Sequence, residues 1–151
     1  MGKYILLSGV PGGMRSLILH CNAFESKITA RSTRPLGIVP ERGNSVPVRM
    51  EECLTVLFCV EQSDTEQQLH QLYEEIVLGA GKLKVRNLMI APFVHLSNNI
   101  AAPEKARELY HILIQKFEGS EFRVDYSHFG YHKTWLLDIK GHRYAYKYRE
   151  F

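Results

Sequence analysis

Cys53–Val60 reads CLTVLFCV, an apolar run broken only by Thr55. A run of this length with no polar alternation is what a β-strand covered on both faces requires. Working outward, Ser63 or Asp64 is placed to cap a helix. Its face is drawn by Leu69, Leu72, Tyr73, Ile76 and Val77 at i, i+3, i+4, i+7 and i+8, and Gly79 and Gly81 end it. Val85–Ala91 is a second buried strand. Pro103 opens another helix, with Ala106, Leu109, Tyr110, Leu113 and Phe117 on one face and Gly119 at its close. Phe122, Val124 and Tyr126 alternate as in a strand, as do Trp135, Leu137 and Ile139, and Tyr144, Tyr146 and Tyr148 share a face of the last segment. On the N-terminal side Ser16–Cys21 is a strand. Asn22–Arg49 is polar, basic and broken by Pro35, Gly37, Pro40, Gly43 and Pro47, and is expected to be largely loop. The order β-β-α-β-α-β-β-β predicts an α/β (α+β) architecture, a mixed β-sheet packed with helices.

The chain of 151 residues suits one domain, residues 14–151, behind an N-terminal extension, residues 1–13. A chain this long buries roughly 70% of its unfolded surface. The extension carries a short apolar stretch, Tyr4–Leu7, and then Gly9–Ser16, GVPGGMRS. This is not a phosphate-binding loop: Met14-Arg15 stand where Gly-Lys is needed, and a strand follows instead of a helix. No apolar run reaches the ~20 residues of a membrane span. Cys21, Cys53 and Cys59 are an odd count without a CxxC pair, which points to a reducing cytoplasm and away from a disulfide scaffold or thiolate zinc site. The net charge of +3 permits contact with nucleic acid without demanding it. Basic residues gather at Lys27, Arg31, Arg34, Arg42 and Arg49, and again at Lys140, His142, Arg143, Lys147 and Arg149. Each group reads equally as a phosphate-contacting surface or a solvated face.

Two stretches bring titratable groups to the mouth of apolar strands. Met89–Asn98, MIAPFVHLSN, passes through Pro92 to His95, and Phe129–Lys133, FGYHK, turns at Gly130 to deliver His132 and Lys133. A small pocket with polar anchors has this signature. His95 reads as a general base, a substrate anchor or a satisfied histidine. Lys133 either occupies a solvent-facing corner or points into a pocket. His128 and His132 lie four apart, but two ligands at that spacing share a face only in a helix, and no carboxylate stands close by, so no metal is expected. No Gly-x-Ser-x-Gly elbow or Cys–His pairing suggests a covalent nucleophile.

Four groups of residues, MRSLILH at Met14–His20, RMEECL at Arg49–Leu54, PFVHLSNNIAAP at Pro92–Pro103, and FGYHKTW with KGH at Phe129–Trp135 and Lys140–His142, carry a resemblance. In their order and spacing the chain resembles the N-terminal editing domain of archaeal threonyl-tRNA synthetase, which has a D-aminoacyl-tRNA deacylase-like fold. The resemblance implies removal of serine wrongly attached to tRNA(Thr). It assigns the central role to Lys133, with His95 beside it. It makes Val60, Pro92, Phe93, Val94, Phe129, Gly130 and Tyr131 the lining of the amino-acid pocket, with His132 and Tyr146 at its border. No cofactor or metal is implied. The implied partners are the serine-carrying 3′ end of tRNA(Thr) and a second copy of the chain in a homodimer. In that family a ribose hydroxyl of the tRNA is thought to assist, and threonine is thought to be spared chiefly through misplacement of the water.

Two positions depart from the family pattern. His132 stands where many relatives have tyrosine, and Tyr146 where they have an acidic residue; Tyr146 cannot supply a carboxylate to the substrate ammonium, so either another group takes that role or the water network differs. Two other readings follow from the same residues: a standalone D-aminoacyl-tRNA deacylase, and a non-catalytic tRNA-binding or dimerisation module.

Overall fold

The computed structural model describes residues 13–151. The apolar run is the second half of β2 (Val48–Cys59), in the middle of a six-stranded mixed sheet. β1 (Arg15–Arg31) precedes it. After it come α1 (Glu66–Leu83), β3 (Asn87–Pro92), α2 (Pro103–Lys116), β4 (Arg123–Tyr126), β5 (Tyr131–Ile139) and β6 (Tyr146–Glu150). The expected element order holds. The apolar stretch Tyr4–Leu7 and residues 9–12 of the GVPGGMRS stretch lie outside the described residues.

The sheet order is β4-β3-β2-β1-β5, with β6 also paired to β1. β2, β3 and β4 run parallel, while β1 is antiparallel to β2, β5 and β6. Every residue from Cys53 to Val60 is buried, as a strand sandwiched between two apolar layers demands. On one face Ile18, Leu54, Val56, Phe58, Leu88 and Ile90 pack against Leu69, Leu72 and Ile76 of α1 and Leu109, Tyr110 and Leu113 of α2. On the other, Leu19, Phe24, Met50, Leu57 and Met89 pack with Trp135, Leu137 and Ile139 of β5. The pairing of β1 with β5 slips between Cys21 and Ala23 and again between Ile28 and Ala30. Such bulges bend and twist a strand. Here they carry β5 across the sheet, so that Trp135 meets Phe93 just beyond β3, ring centroids 5.1 Å apart.

Three expectations need correction. Asn22–Arg31 is strand, not loop: its backbone pairs with β2 as far as Ser26 and with β5 as far as Arg31. Tertiary pairing overrides a polar local composition there. The N-cap of α1 is Thr65, whose hydroxyl accepts from Gln67 N at 3.2 Å, while Gln68 Oε1 accepts from Thr65 N at 2.8 Å. Asp64 instead turns inward and accepts from Met14 N at 2.9 Å. Gly79 and Gly81 lie inside α1, which continues to Leu83 and ends at Lys84 with φ of 57°. Ala80 between them is buried, so packing carries the helix through both glycines.

At the other end of the chain Phe151 N donates to Met14 O at 3.0 Å, closing the β1–β6 edge. All three cysteines are free and buried. Among the described residues no helix is long and apolar enough to cross a membrane. Thr65→Ala removes the capping box and is expected to cost about 1 kcal/mol. A thermal or urea unfolding curve measures this, and a change under a few tenths would show the cap to be idle.

Candidate functional site

A cavity of about 630 Å³ opens where the start of β5 meets the end of β3. One wall is Pro92, Phe93, Val94 and His95, the other Phe129, Gly130, Tyr131, His132 and Lys133. The structure therefore brings together the two stretches that sequence reading paired. Trp135 lies between them, and Ser32, Arg34, Pro35 and Ile38 from the segment after β1 close a further side.

A buried carboxylate holds each wall. Glu41 Oε1 accepts from Phe129 N at 2.7 Å and from Tyr110 OH of α2 at 2.7 Å. Glu41 N donates to Phe129 O, and Tyr131 OH donates to Glu41 O at 2.7 Å. One residue thus fixes the FGY turn from both sides. Opposite, Glu61 accepts from Ser97 Oγ, which in turn accepts from Asn99 N at 2.9 Å, while Glu61 bridges to Ile100. Arg15 Nε stands 3.5 Å from Glu61 Oε2, and its guanidinium also donates to Leu96 O at 3.3 Å. A buried charge is tolerated only when hydrogen-bonded in this way.

Gly130 has φ of +92°, and a Cβ there would stand 2.3 Å from Pro40 Cα. No other residue fits both the conformation and the approach. Its carbonyl accepts from Ser32 N at 3.0 Å, stitching the turn to the segment after β1.

Lys133 follows at the start of β5, paired with Ile28. Its ammonium donates to His128 O at 2.5 Å and sits 5.9 Å above the centroid of the Trp135 ring. Burial against this apolar floor lowers its pKa from the ordinary 10.5 to about 8, and the Glu41 carboxylate opposes the fall. Because the folded value lies below the unfolded one, the cost of burying the charge is present in full below pH 8. It is relieved as pH rises through that value toward 10.5. Trp135 Nε1 donates to Ser127 Oγ at 3.0 Å, and Ser127 Oγ is 3.0 Å from Ser26 Oγ, so the floor is itself anchored.

His95 sits on the short 3-10 turn Val94–Leu96, exposed, its ring edge-on to Phe93 at 5.1 Å. His132 is exposed at the cavity edge. Two expected positions lie outside the lining. Val60 is buried in the helix-side core and reaches the site only through its carbonyl, which accepts from Ala101 N at 2.9 Å. Tyr146 is exposed on β6 opposite Leu19, nine positions along β1 from the Ile28 that pairs with Lys133. No three His, Cys, Asp or Glu side chains among the described residues are grouped to hold a metal. Glu41, Trp135 and the segment Ser32–Ile38 were not legible as site residues. One signal for Glu41 existed: it is the sole carboxylate between Lys27 and Arg49.

Known proteins resemble this chain along most of its length. The family profile described as the archaea-specific editing domain of threonyl-tRNA synthetase matches residues 14–151. A threonine–tRNA ligase of Methanococcus vannielii is 33% identical over 132 residues, 85% of this chain and 20% of that protein. A threonine–tRNA ligase of Pyrococcus horikoshii is 28% identical over 138 residues, 87% of this chain and 21% of that protein. The chain thus spans about a fifth of the length of the curated relatives it matches. In backbone it superimposes on a solved structure titled c-Myc DNA Unwinding Element Binding Protein, with a TM-score of 0.67 at 9% identity, covering 91% of this chain and 98% of the other. The mixed sheet and its helices are of the D-aminoacyl-tRNA deacylase-like class expected from the sequence.

Two substitutions test the turn and its carboxylate. Gly130→Ala is expected to cost at least about 2 kcal/mol, the left-handed strain alone being 1–2, as read from thermal unfolding. Glu41→Gln keeps the shape but removes the charge facing Lys133, so the Lys133 pKa should fall below 8. An NMR titration of the lysine side chain reads this directly, and an unchanged or higher value would refute the coupling.

Proposed function

The chain belongs to the archaea-specific editing-domain family of threonyl-tRNA synthetase, and from that premise we propose that it hydrolyses the ester of Ser-tRNA(Thr), releasing L-serine. The observation that supports this most is Lys133: a lysine held over an aromatic floor inside an apolar cavity, where burial lowers its pKa. The partner would be the 3′ end of the tRNA, the compartment the cytoplasm, and the active form a homodimer. The exposed Tyr144, Tyr146 and Tyr148 offer apolar surface to a second copy.

An aminoacyl ester is already activated, so the reaction draws on protein groups, water and the substrate alone. The Lys133 ammonium is suited to meet the oxyanion that develops on the ester carbonyl. Partial exclusion of water strengthens that interaction. Pro92–Val94 and Phe129–Tyr131 would hold the amino acid between two rigid walls, which supplies orientation. His95, at the exposed rim beside Phe93, would order the attacking water. Serine and threonine differ by a methyl group worth only about 1–3 kcal/mol in a pocket. Discrimination would therefore come from where the water stands when that methyl is present. Tyr146 lies outside the cavity of its own chain, so the loss of an acidic residue there leaves the Lys133 end of the cavity unchanged.

Single-turnover assays with Ser-tRNA(Thr) and Thr-tRNA(Thr) should show rapid serine release with threonine spared. Lys133→Ala should cut the rate at least about a hundredfold, the scale of losing one oxyanion donor, while its circular dichroism stays that of the parent. The enzyme-dependent rate should decline as pH rises through 8 and the ammonium deprotonates. Equal release of both amino acids, full activity in the variant, or a preference for D-aminoacyl-tRNA would each defeat the assignment.

A further inference from the structure

The two basic groups of the sequence differ in how the fold balances them. In the second group Lys140 Nζ lies 2.9 Å from Glu52 Oε2 and Arg149 Nε 3.4 Å from Glu75 Oε1, with Lys147 on the same Glu75 carboxylate. His142 is 2.8 Å from His20 ring to ring, and Arg143 lies over the ring of Tyr144. Most of this charge is neutralised or engaged inside the fold.

In the first group only Arg49 has a carboxylate partner, Glu51 at 3.2 Å. Lys27, Arg31, Arg34 and Arg42 are exposed, and none pairs with an acid among the described residues. Residues 1–12 contain no Asp or Glu that could pair with them. The fold places three of the four beside the cavity, while Lys27 shares the face of Thr134, opposite to that of Lys133 and Trp135. Arg34 lines it, and Arg42 follows directly on Glu41. Arg31 pairs with Tyr131 and Lys27 with Thr134, bracketing His132 and Lys133 on β5. This part of β1 has passed the last rung shared with β2, Ser26 to Val48, so it stands clear of the sheet on one side.

Uncompensated cations around the mouth of an apolar cavity focus a field that draws in polyanions. The three beside the cavity are arginines, whose planar fork matches phosphate oxygens in pairs. We infer that Arg31, Arg34 and Arg42 form the surface that grips the phosphodiester backbone of an RNA strand whose end enters the cavity. The second basic group serves the fold instead. This inference rests on the proposed function for its choice of RNA over an acidic protein partner.

The test compares the 151-residue chain with Arg31→Gln/Arg34→Gln/Arg42→Gln and with Arg143→Gln/Lys147→Gln, each checked for folding by thermal melting. Kd for full-length uncharged tRNA(Thr) is measured across a salt series. The triple variant should bind at least about tenfold more weakly at low salt. Its slope of log K against log salt should be shallower by about 2–3, near 0.7–0.9 per lost phosphate contact. The double variant should match the parent in both. A triple variant that keeps the parent's slope, or a double variant that loses it, overturns the inference. Serine release is followed in parallel. If the parent's slope depends on the three arginines and no serine is freed, the surface stands and the catalytic reading falls. Serine release by a parent whose tRNA binding ignores the three arginines gives the reverse. Absence of any tRNA binding overturns the surface as an RNA site and leaves an acidic protein as its partner.

Discussion

One strand carries the hydrogen-bond ladders of three others, and the rest of the architecture follows from that demand. β1 must satisfy β2 along one edge, and β6 and then β5 along the other. A straight strand would leave β5 level with the sheet and its apolar face in water. The two slips in the β1–β5 register bend the strand instead, and the sheet folds over itself until Trp135 reaches Phe93. That closure buries a second core on the side without helices, and at its open end it leaves the cavity.

The cavity keeps its shape through two buried carboxylates that do parallel work. Glu41 holds the turn that delivers Lys133, and Glu61 holds the segment that carries His95. Both accept hydrogen bonds from the loop they restrain, so neither charge is abandoned in the interior. Loops tied at such points behave as extensions of the sheet, which is what a site built from strand ends needs if its groups are to stay in place. Tyr110 extends the network to α2, and burial beside Glu41 raises its pKa, so it remains a donor.

What the sequence disclosed follows from the range of the forces involved. The apolar runs of β2 and β3 and the amphipathic faces of α1 and α2 are local patterns, and they were legible. So were the two loops of the site, because each ends an apolar strand with titratable side chains. Asn22–Arg31 misled because its strand character is imposed by neighbours distant in sequence and not by its own polar composition. Gly79 and Gly81 misled because a buried Ala80 outweighed their low helix propensity. Glu41 and the segment Ser32–Ile38 were illegible as site residues because their roles exist only once β5 has crossed the sheet. Val60 and Tyr146, carried over from a family pattern, show that matching a position does not fix what its side chain faces.

The bond between Phe151 and Met14 has a mechanical consequence. β1 and β6 run antiparallel, with Arg15 opposite Glu150 at one end of their ladder and Leu19 opposite Tyr146 at the other. Tension applied between Met14 and Phe151 would load those rungs one after another, as in a zipper, because both attachment points lie at the same end. The first structure to part would be β6, while the Glu41 anchor lies outside the line of force and the Glu61 side is reached only through Met14 and Arg15. A pull on this body would peel an edge strand before it reached the turn that delivers Lys133.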